Sequence, residues 1–177
     1  GSLAVQAPIL PISIAIDSQG NIYVGDLFGF VRKIDVSTGI IATVLGSEID
    51  APLPFGLAVD SDGNLFVADV NSRVRKVNAV TRKITTVAGG GTTGDGGIAT
   101  SALLISPFGI TLDQTGNIYI AEFGGHKVRK VGPGSITTFT DDDSDGFSNN
   151  IEMIAGSSPN NASSTPFSDI PAYGRDL

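Results

Sequence analysis

The sequence contains no cysteine and no tryptophan, and it has one histidine, His126, among 177 residues. The lack of cysteine excludes disulfide bonds, thiolate metal sites and a cysteine nucleophile, and a single histidine excludes multi-histidine zinc sites. Charged residues make up only 16% of the chain, against about 25% in an ordinary soluble domain. Because 41% of the residues are hydrophobic, we expect a folded chain. Some of its surface is expected to be shielded from water.

The negative charge is concentrated near the C-terminal end. Residues 1–139 carry 10 basic and 11 acidic side chains, a net charge of −1, whereas residues 140–177 carry 1 basic and 7 acidic side chains, a net charge of −6. A nearly neutral body argues against nucleic acid as a partner. No apolar run reaches the roughly 20 residues that a membrane-spanning helix requires, so we expect no membrane span.

Three copies of one pattern occupy most of the chain. Residues 15–25 (AIDSQGNIYVG) recur as 58–68 (AVDSDGNLFVA) and as 111–121 (TLDQTGNIYIA), so the copies begin 43 and 53 residues apart. Each copy has four short runs of β-branched and aromatic residues, separated by Gly, Asn, Asp or Ser, which predicts four short strands. A four-stranded unit repeated at this spacing indicates blades of a β-propeller.

The repeats resemble NHL repeats over about residues 11–139. The similarity is carried by FGLAVD at 55–60, RVRKV at 73–77, ITTVAG at 84–89 and the linker GDGGIATS at 94–101. We therefore predict an all-β fold of three four-stranded NHL-like blades, a partial propeller that is completed by assembly. The predicted parts are an N-terminal strand or arm (1–10), blade 1 (11–53), blade 2 with its glycine-rich linker (54–106) and blade 3 (107–140).

Three blades are too few for the closed ring that the resemblance implies, since propellers have about four to eight. An isolated arc leaves one apolar face bare at each end, at a cost of about 25 cal/mol per Å². Either two copies close a six-bladed ring, or copies stack into a filament, or the chain is a piece of a longer protein. Leu3–Ala7 is a candidate strand for pairing with a neighbouring blade or chain. The expected partners are other copies of the chain or another protein.

An acidic motif follows the third copy. Residues 141–152 (DDDSDGFSNNIE) match D-x-[DN]-x-[DN]-G-x5-E. Ca²⁺ takes six to eight oxygen ligands, and Gly146 supplies the sharp turn at position six of such a loop. The alternative is a solvated acidic hinge without an ion. The predicted calcium ligands are Asp141, Asp143, Asp145, Phe147 (through its carbonyl), Asn149 and Glu152.

The calcium motif and its continuation at 154–161 resemble bacterial thrombospondin type 3-like repeats, and the motif is EF-hand-like. The resemblance implies a short helix at about 149–155, so that the calcium loop and helix span 141–156. Residues 157–177 are rich in Ser, Asn and Pro, which predicts an extended tail.

Two acidic positions recur in every copy and are interpreted as structural. They are Asp17, Asp60 and Asp113 at the first position, and Asp26, Asp69 and Glu122 at the second. A side chain used identically in every blade is typical of turn or inter-strand chemistry rather than of catalysis. His126 breaks the repeat, but it precedes a basic strand and is expected to be a structural or surface residue.

The sequence therefore predicts a non-enzymatic, extracellular structural or interaction protein, secreted or on the cell surface of a bacterium. It would be a calcium-binding propeller subunit that self-assembles into a ring or filament by blade-face packing or strand exchange. No catalytic residue is assigned. The alternative is a lyase or lactonase-type propeller enzyme that is active only when the ring is completed. Convergence of asymmetric carboxylates and His126 on one channel would favour the enzyme.

Overall fold

A computed structural model describes residues 2–46, 53–132 and 135–138, and in these ranges the chain is almost entirely β-structure. Two single-turn 3₁₀ helices lie at Ala4–Gln6 and Ala99–Ser101. None of the helices in the described ranges could span a membrane. The strands are β1 (Ser2–Leu3), β2 (Pro11–Ile16), β3 (Ile22–Asp26), β4 (Val31–Ile34), β5 (Ile40–Leu45), β6 (Pro54–Val59), β7 (Leu65–Asp69), β8 (Arg73–Val77), β9 (Ile84–Gly89), β10 (Pro107–Leu112), β11 (Ile118–Glu122), β12 (Lys127–Val131) and β13 (Ile136–Thr138).

Each sequence repeat forms one antiparallel sheet, which confirms the predicted partial propeller of three blades. The strand orders are β2-β3-β4-β5 in blade 1, β6-β7-β8-β9 in blade 2 and β10-β11-β12-β13 in blade 3. Blade 1 has a fifth strand, because Ser2 and Leu3 pair with Ile41 and Ile40 at the outer edge of the same blade. The N-terminal residues thus pair within their own blade in the single chain.

The first hairpin of each blade is closed by an aspartate and an asparagine four residues later. In blade 2, Asp60 accepts hydrogen bonds from the backbone N–H of Asn64 and from its side-chain amide, both at 2.8 Å. Gly63 adopts a φ of +80°, which favours glycine. Asp17 and Asp113 accept the same bonds in the other two blades. The predicted turn role of this aspartate is confirmed.

Two hydrophobic cores fill the spaces between consecutive blades, and β6 lies between β2 and β10. We call the side of a sheet that faces the next blade its front face, and the side that faces the preceding blade its back face. The first core joins the front of blade 1 to the back of blade 2 through Tyr23, Val31, Leu45, Leu57, Leu65, Val67 and Val77. The second core joins blades 2 and 3 and also buries Ala99, Ala102 and Leu104 of the linker.

The predicted calcium loop at 141–152, the helix at 149–155 and the tail at 157–177 lie outside the described residues. These three predictions therefore remain predictions from the sequence.

Candidate interaction surfaces

The front face of blade 2 shows how two blades meet. Gly56 pairs with Ala68 across the sheet, which leaves a shallow slot between larger side chains. A Cβ at Gly56 would lie 2.8 Å from Ile110 Cγ2 and closer still to the carbonyl oxygen of Phe108. The backbone of β10 therefore packs directly on Gly56, and only glycine permits this approach.

The front face of blade 3 carries the same slot, but no blade formed by the described residues fills it. Gly109 pairs with Ala121 as Gly56 pairs with Ala68. A Cβ at Gly109 would meet only the Cβ of Ala121, at an ordinary 3.4 Å, among the described residues. The neighbouring Thr111, Ala121 and Val128 are exposed. The front face of blade 3 therefore repeats the shape of the front face of blade 2, without a covering strand among the described residues.

Each front face also carries a lysine over an aromatic ring. The pairs are Lys33 with Tyr23 at 5.0 Å, Lys76 with Phe66 at 5.0 Å and Lys130 with Tyr119 at 5.7 Å from nitrogen to ring centroid. In blades 1 and 2 these rings are buried against the following blade. In blade 3 the ring of Tyr119 is only half-buried, so the third pair repeats the same arrangement with a more exposed ring.

The back face of blade 1 is the opposite open end. Ile14 is 65% exposed, whereas its counterpart in blade 2, Leu57, is 6% exposed and lies in the first core. Ile16 is exposed as well. A groove of about 470 Å³ on this face is lined by Ile9, Pro11, Ile12, Ser13, Ile14, Ile22, Val24 and Ile34. The aliphatic face that is buried in blades 2 and 3 is thus bare in blade 1.

An arginine occupies the same position on all three back faces. Arg32 lies opposite Val24, Arg75 lies opposite Val67, and Arg129 lies opposite Ile120. Arg129 is 1% exposed. Its Nη1 donates to Glu122 Oε1 at 2.8 Å and to the carbonyl of Leu103 at 3.2 Å, and its Nη2 contacts the Asp95 carboxylate. Arg129 therefore ties blade 3 to the glycine-rich linker.

The Nε atom is unpartnered in all three of these arginines. In Arg32, Arg75 and Arg129 it is shielded from solvent and has no hydrogen-bond partner among the described residues. Residues 47–52, which lie between blades 1 and 2 and contain Glu48 and Asp50, are outside the described ranges. The unpartnered Nε is therefore a shared property of this position in the three blades and does not distinguish blade 1.

The second recurring acidic position serves the β-hairpin between the second and third strands. Asp26 accepts N–H bonds from Phe28 and Phe30, at 2.9 and 3.1 Å. Glu122 is one methylene longer and reaches the linker instead, accepting from the N–H of Ile105 at 3.1 Å. His126 lies exposed in the same turn of blade 3 with a φ of +51°. These acids and His126 have the structural and surface roles predicted for them.

Several turn carboxylates are held in the ionised form. Burial opposes the shift at Asp17, but bonds from the Asn21 side chain and backbone and from Lys33 outweigh it and lower the pKa of Asp17 below 3.8. Bonds from Asn117 and Thr115 hold the pKa of Asp113 well below its usual range, despite partial desolvation. Hydrogen bonds from Ser37 and Thr38 lower the pKa of Asp35 to about 2.

No metal-binding group is formed by the residues the structure describes: among them, no three His, Asp or Glu side chains cluster closely enough to hold an ion. Glu122 is engaged with Arg129, and His126 lies exposed in the turn that follows β11. The predicted calcium ligands, Asp141, Asp143, Asp145, Phe147, Asn149 and Glu152, all lie in the part of the chain that is not described.

Sequence reasoning missed the slot at Gly109 on the front face of blade 3. It also missed an aromatic stack in which Phe55 and Phe108 lie 4.6 Å apart between ring centroids. Both phenylalanines are the extra residues of β-bulges at the start of β6 and β10. The signal for Gly109 and the stack is the recurrence of Pro-Phe-Gly at 54–56 and 107–109.

Comparison with known proteins agrees with this architecture. Residues 9–150 match the teneurin NHL domain, and no curated protein sequence matches the chain. The fold is similar to virginiamycin B lyase from Staphylococcus aureus (17% identity, TM-score 0.55, 76% of this chain and 42% of that one). It is also similar to a gluconolactonase from Xanthomonas campestris (15%, 0.59, 75% and 48%) and to a chain of a nidogen/laminin complex (18%, 0.58, 73% and 48%).

These identities establish the fold alone, and the chain spans less than half the length of these three structures. The predicted NHL-type propeller is confirmed.

Proposed function

The chain belongs to the teneurin NHL domain family, and from this we propose that it is a non-enzymatic structural or interaction protein whose three blades assemble with those of other copies. The match between its two open faces is the main support. A slotted front face packs on an aliphatic back face at both junctions within the chain. One more face of each kind, on blade 3 and blade 1, is left open by the residues that the structure describes.

Two copies would use every open face once. The front of blade 3 in each copy would pack on the back of blade 1 in the other, giving six blades, which is within the range of about four to eight found in closed propellers. Such packing would bury Ile14 and Ile16 and would fill the slot at Gly109. A filament would use the same contact without closing.

The mass of the chain in solution tests the assembly. Light scattering at micromolar concentration should give twice the mass of one chain. Ala121→Lys on the front of blade 3 and Ile14→Lys on the back of blade 1 should each give monomers. A mixture of the two variants should form an open pair through its one intact junction. Gln114→Lys, in an exposed turn of blade 3, is the matched control and should still assemble. A monomeric parent chain at this concentration would refute the proposal.

We further propose that the segment at 141–152 binds one Ca²⁺, on the support of its sequence motif. The site would be formed by Asp141, Asp143, Asp145, Phe147, Asn149 and Glu152. Calcium titration by calorimetry should show one site that is lost in Glu152→Gln, and Mg²⁺ should produce little heat. No heat with Ca²⁺, together with melting curves unchanged by EGTA, would exclude the site.

An extracellular or cell-surface location is proposed on the same ground, because a lone calcium loop suits the millimolar calcium outside cells. Detection of the protein in the culture medium or on intact cells of its source would support this location, and confinement to the cell lysate would exclude it.

The enzyme alternative has one specific observation in its favour: two of the similar folds are a lyase and a lactonase. We expect the assembled protein to show no lactone hydrolysis and no lyase activity above buffer. Activity that is lost in His126→Ala, with assembly unchanged, would overturn the non-enzymatic proposal.

A further inference from the structure

The N-terminal segment has the same structure as the second half of the glycine-rich linker. Leu3 pairs with β5, the outer strand of blade 1, and Ile98 pairs with Ser135 beside β13, the outer strand of blade 3. Both Leu3 and Ile98 precede a single 3₁₀ turn, with φ −63° and ψ 134° in the first and φ −64° and ψ 128° in the second. Residues 3–9 therefore occupy the place on blade 1 that residues 98–104 occupy on blade 3.

Three apolar side chains of this linker half are buried between blades 2 and 3. Ala99 begins the 3₁₀ turn, and Ala102 follows it and donates its N–H to the carbonyl of Ala99. These two alanines and Leu104 are 4%, 0% and 0% exposed. They belong to the second core, together with Ala68 and Val74 on the front face of blade 2. The turn also packs against β9 of blade 2, so the linker half is covered by the blade that precedes it.

The N-terminal segment repeats this burial pattern in a weaker form. Ala4, Ala7 and Ile9 stand at the places of the three buried linker residues, and Ala7 likewise donates its N–H to the carbonyl of Ala4. These three residues are half-buried, and every other residue from 3 to 10 is exposed. The order of more and less exposed positions is the same at 98–105. The segment thus has the apolar side chains of the linker half, without a preceding blade among the described residues.

The front face of blade 3 offers the matching surface. Ala68 pairs with Val74 across blade 2, and Ala121 pairs with Val128 in the same way across blade 3. The first pair shares the second core with the linker half, whereas Ala121 and Val128 are exposed. On the other open face, Ile9 lines the groove on the back of blade 1. The N-terminal segment is therefore continuous with the face that we propose to receive blade 3.

We propose that residues 3–9 of one copy form a docking element for the front face of blade 3 of a second copy. This inference rests on the assembly proposed above. Ala7 and Ile9 would be buried there beside Val128 of the second copy, as their linker counterparts are buried between blades 2 and 3. Because Leu3 is paired with its own blade, the element would be held in place before the copies meet, which reduces the entropy lost on association.

Thiol labelling tests this burial, because the chain has no cysteine of its own. Ala7→Cys is treated with a maleimide in the assembled protein and in the monomeric Ala121→Lys background. Labelling should be at least about tenfold slower in the assembled protein, where the thiol is shielded from the reagent. Val5→Cys is the matched control and should react equally in both states, since Val5 is 93% exposed and its counterpart Thr100 is exposed even at the closed junction.

Sedimentation provides a second measurement. Ile9→Lys should weaken the dimer at least about tenfold, without lowering the melting temperature in the Ala121→Lys background, whereas Val5→Lys should leave the dimer unchanged. Ile9→Ala is the milder variant if the lysine impairs folding, and it should also weaken the dimer.

The outcomes separate this inference from the assembly itself. Equal labelling of Ala7→Cys in the two states, or parent-like assembly of the Ile9 variants, would overturn the docking element and leave the assembly standing. Slow labelling of Ala7→Cys in the monomer would mean that the segment is covered within its own chain, and it would overturn the inference as well. A monomeric parent chain would overturn both proposals.

Discussion

Gly56 and Gly109 occupy the same position in consecutive blades, yet their surroundings differ. The backbone of β10 packs on Gly56, whereas the slot at Gly109 contains no neighbouring blade among the described residues. The back faces show the same contrast, because Leu57 in blade 2 is 6% exposed, whereas its counterpart Ile14 in blade 1 is 65% exposed. The comparison teaches that the repeat builds the same interface in every blade, including those at the ends.

The largest contrast is expected between the two arginines. Arg129→Met removes one partner of a buried ion pair and leaves Glu122 unpaired, which should lower the free energy of unfolding by about 3–5 kcal/mol. Arg32→Met should lower it by less than about 1 kcal/mol. Both are measured by urea denaturation in the Ala121→Lys background, so that assembly does not contribute. Equal losses would contradict the distinction between a closed and an open back face.

A second contrast tests the aliphatic side chains. Leu57→Ala should cost about 2–5 kcal/mol in the same background, because it leaves a cavity in the first core. Ile14→Ala, at the equivalent exposed position, should cost less than about 0.5 kcal/mol. In the parent background, Ile14→Ala should instead weaken the dimer. A large monomer effect at Ile14 would mean that the back face of blade 1 is covered within the chain.

The two glycines provide a third contrast. Gly56→Ala places a methyl group against the backbone of β10 and should cost about 1–3 kcal/mol or more. Gly109→Ala should change the stability of the monomer by no more than about 0.5 kcal/mol, but it should weaken assembly, because the slot would be filled. Denaturation and sedimentation on the same samples separate the two effects. A dimer unaffected by Gly109→Ala would argue against the slot as a docking site.

The smallest effect concerns the hairpin carboxylates of blades 1 and 3. The folded pKa of each lies below 3.8, so ionisation favours the folded state: the stabilisation is present above about pH 4 and is lost as the pH falls through the folded pKa. Asp113→Asn should flatten the decline of stability between pH 4.5 and about pH 2 more than Asp17→Asn does. Unfolding free energies across this range provide the measurement, and identical slopes for both variants and the parent would contradict it.

Local chemistry explains what could be predicted from the sequence. The Asp60–Asn64 turn involves residues four apart, and short runs of β-branched and aromatic residues define each strand, so four strands could be predicted for each repeat. The contacts that were missed join distant residues: Asp95 meets Arg129, and Gly56 meets Phe108. Composition and spacing do not reveal which glycine contacts the backbone of another strand, because such a contact depends on how whole sheets pack against one another.

The order of strands has a consequence for folding during synthesis. The four repeat strands of each blade pair in chain order, so a blade can form its own sheet soon after its last strand leaves the ribosome. Such local pairing favours fast folding. Two pairings in the described residues are longer in range: Leu3 pairs with Ile40, and Ile98 pairs with Ser135, 37 residues later. The front face of blade 2 stays uncovered until blade 3 has been synthesised. During this interval the nascent chain is most exposed to association with other chains that are being translated from the same mRNA.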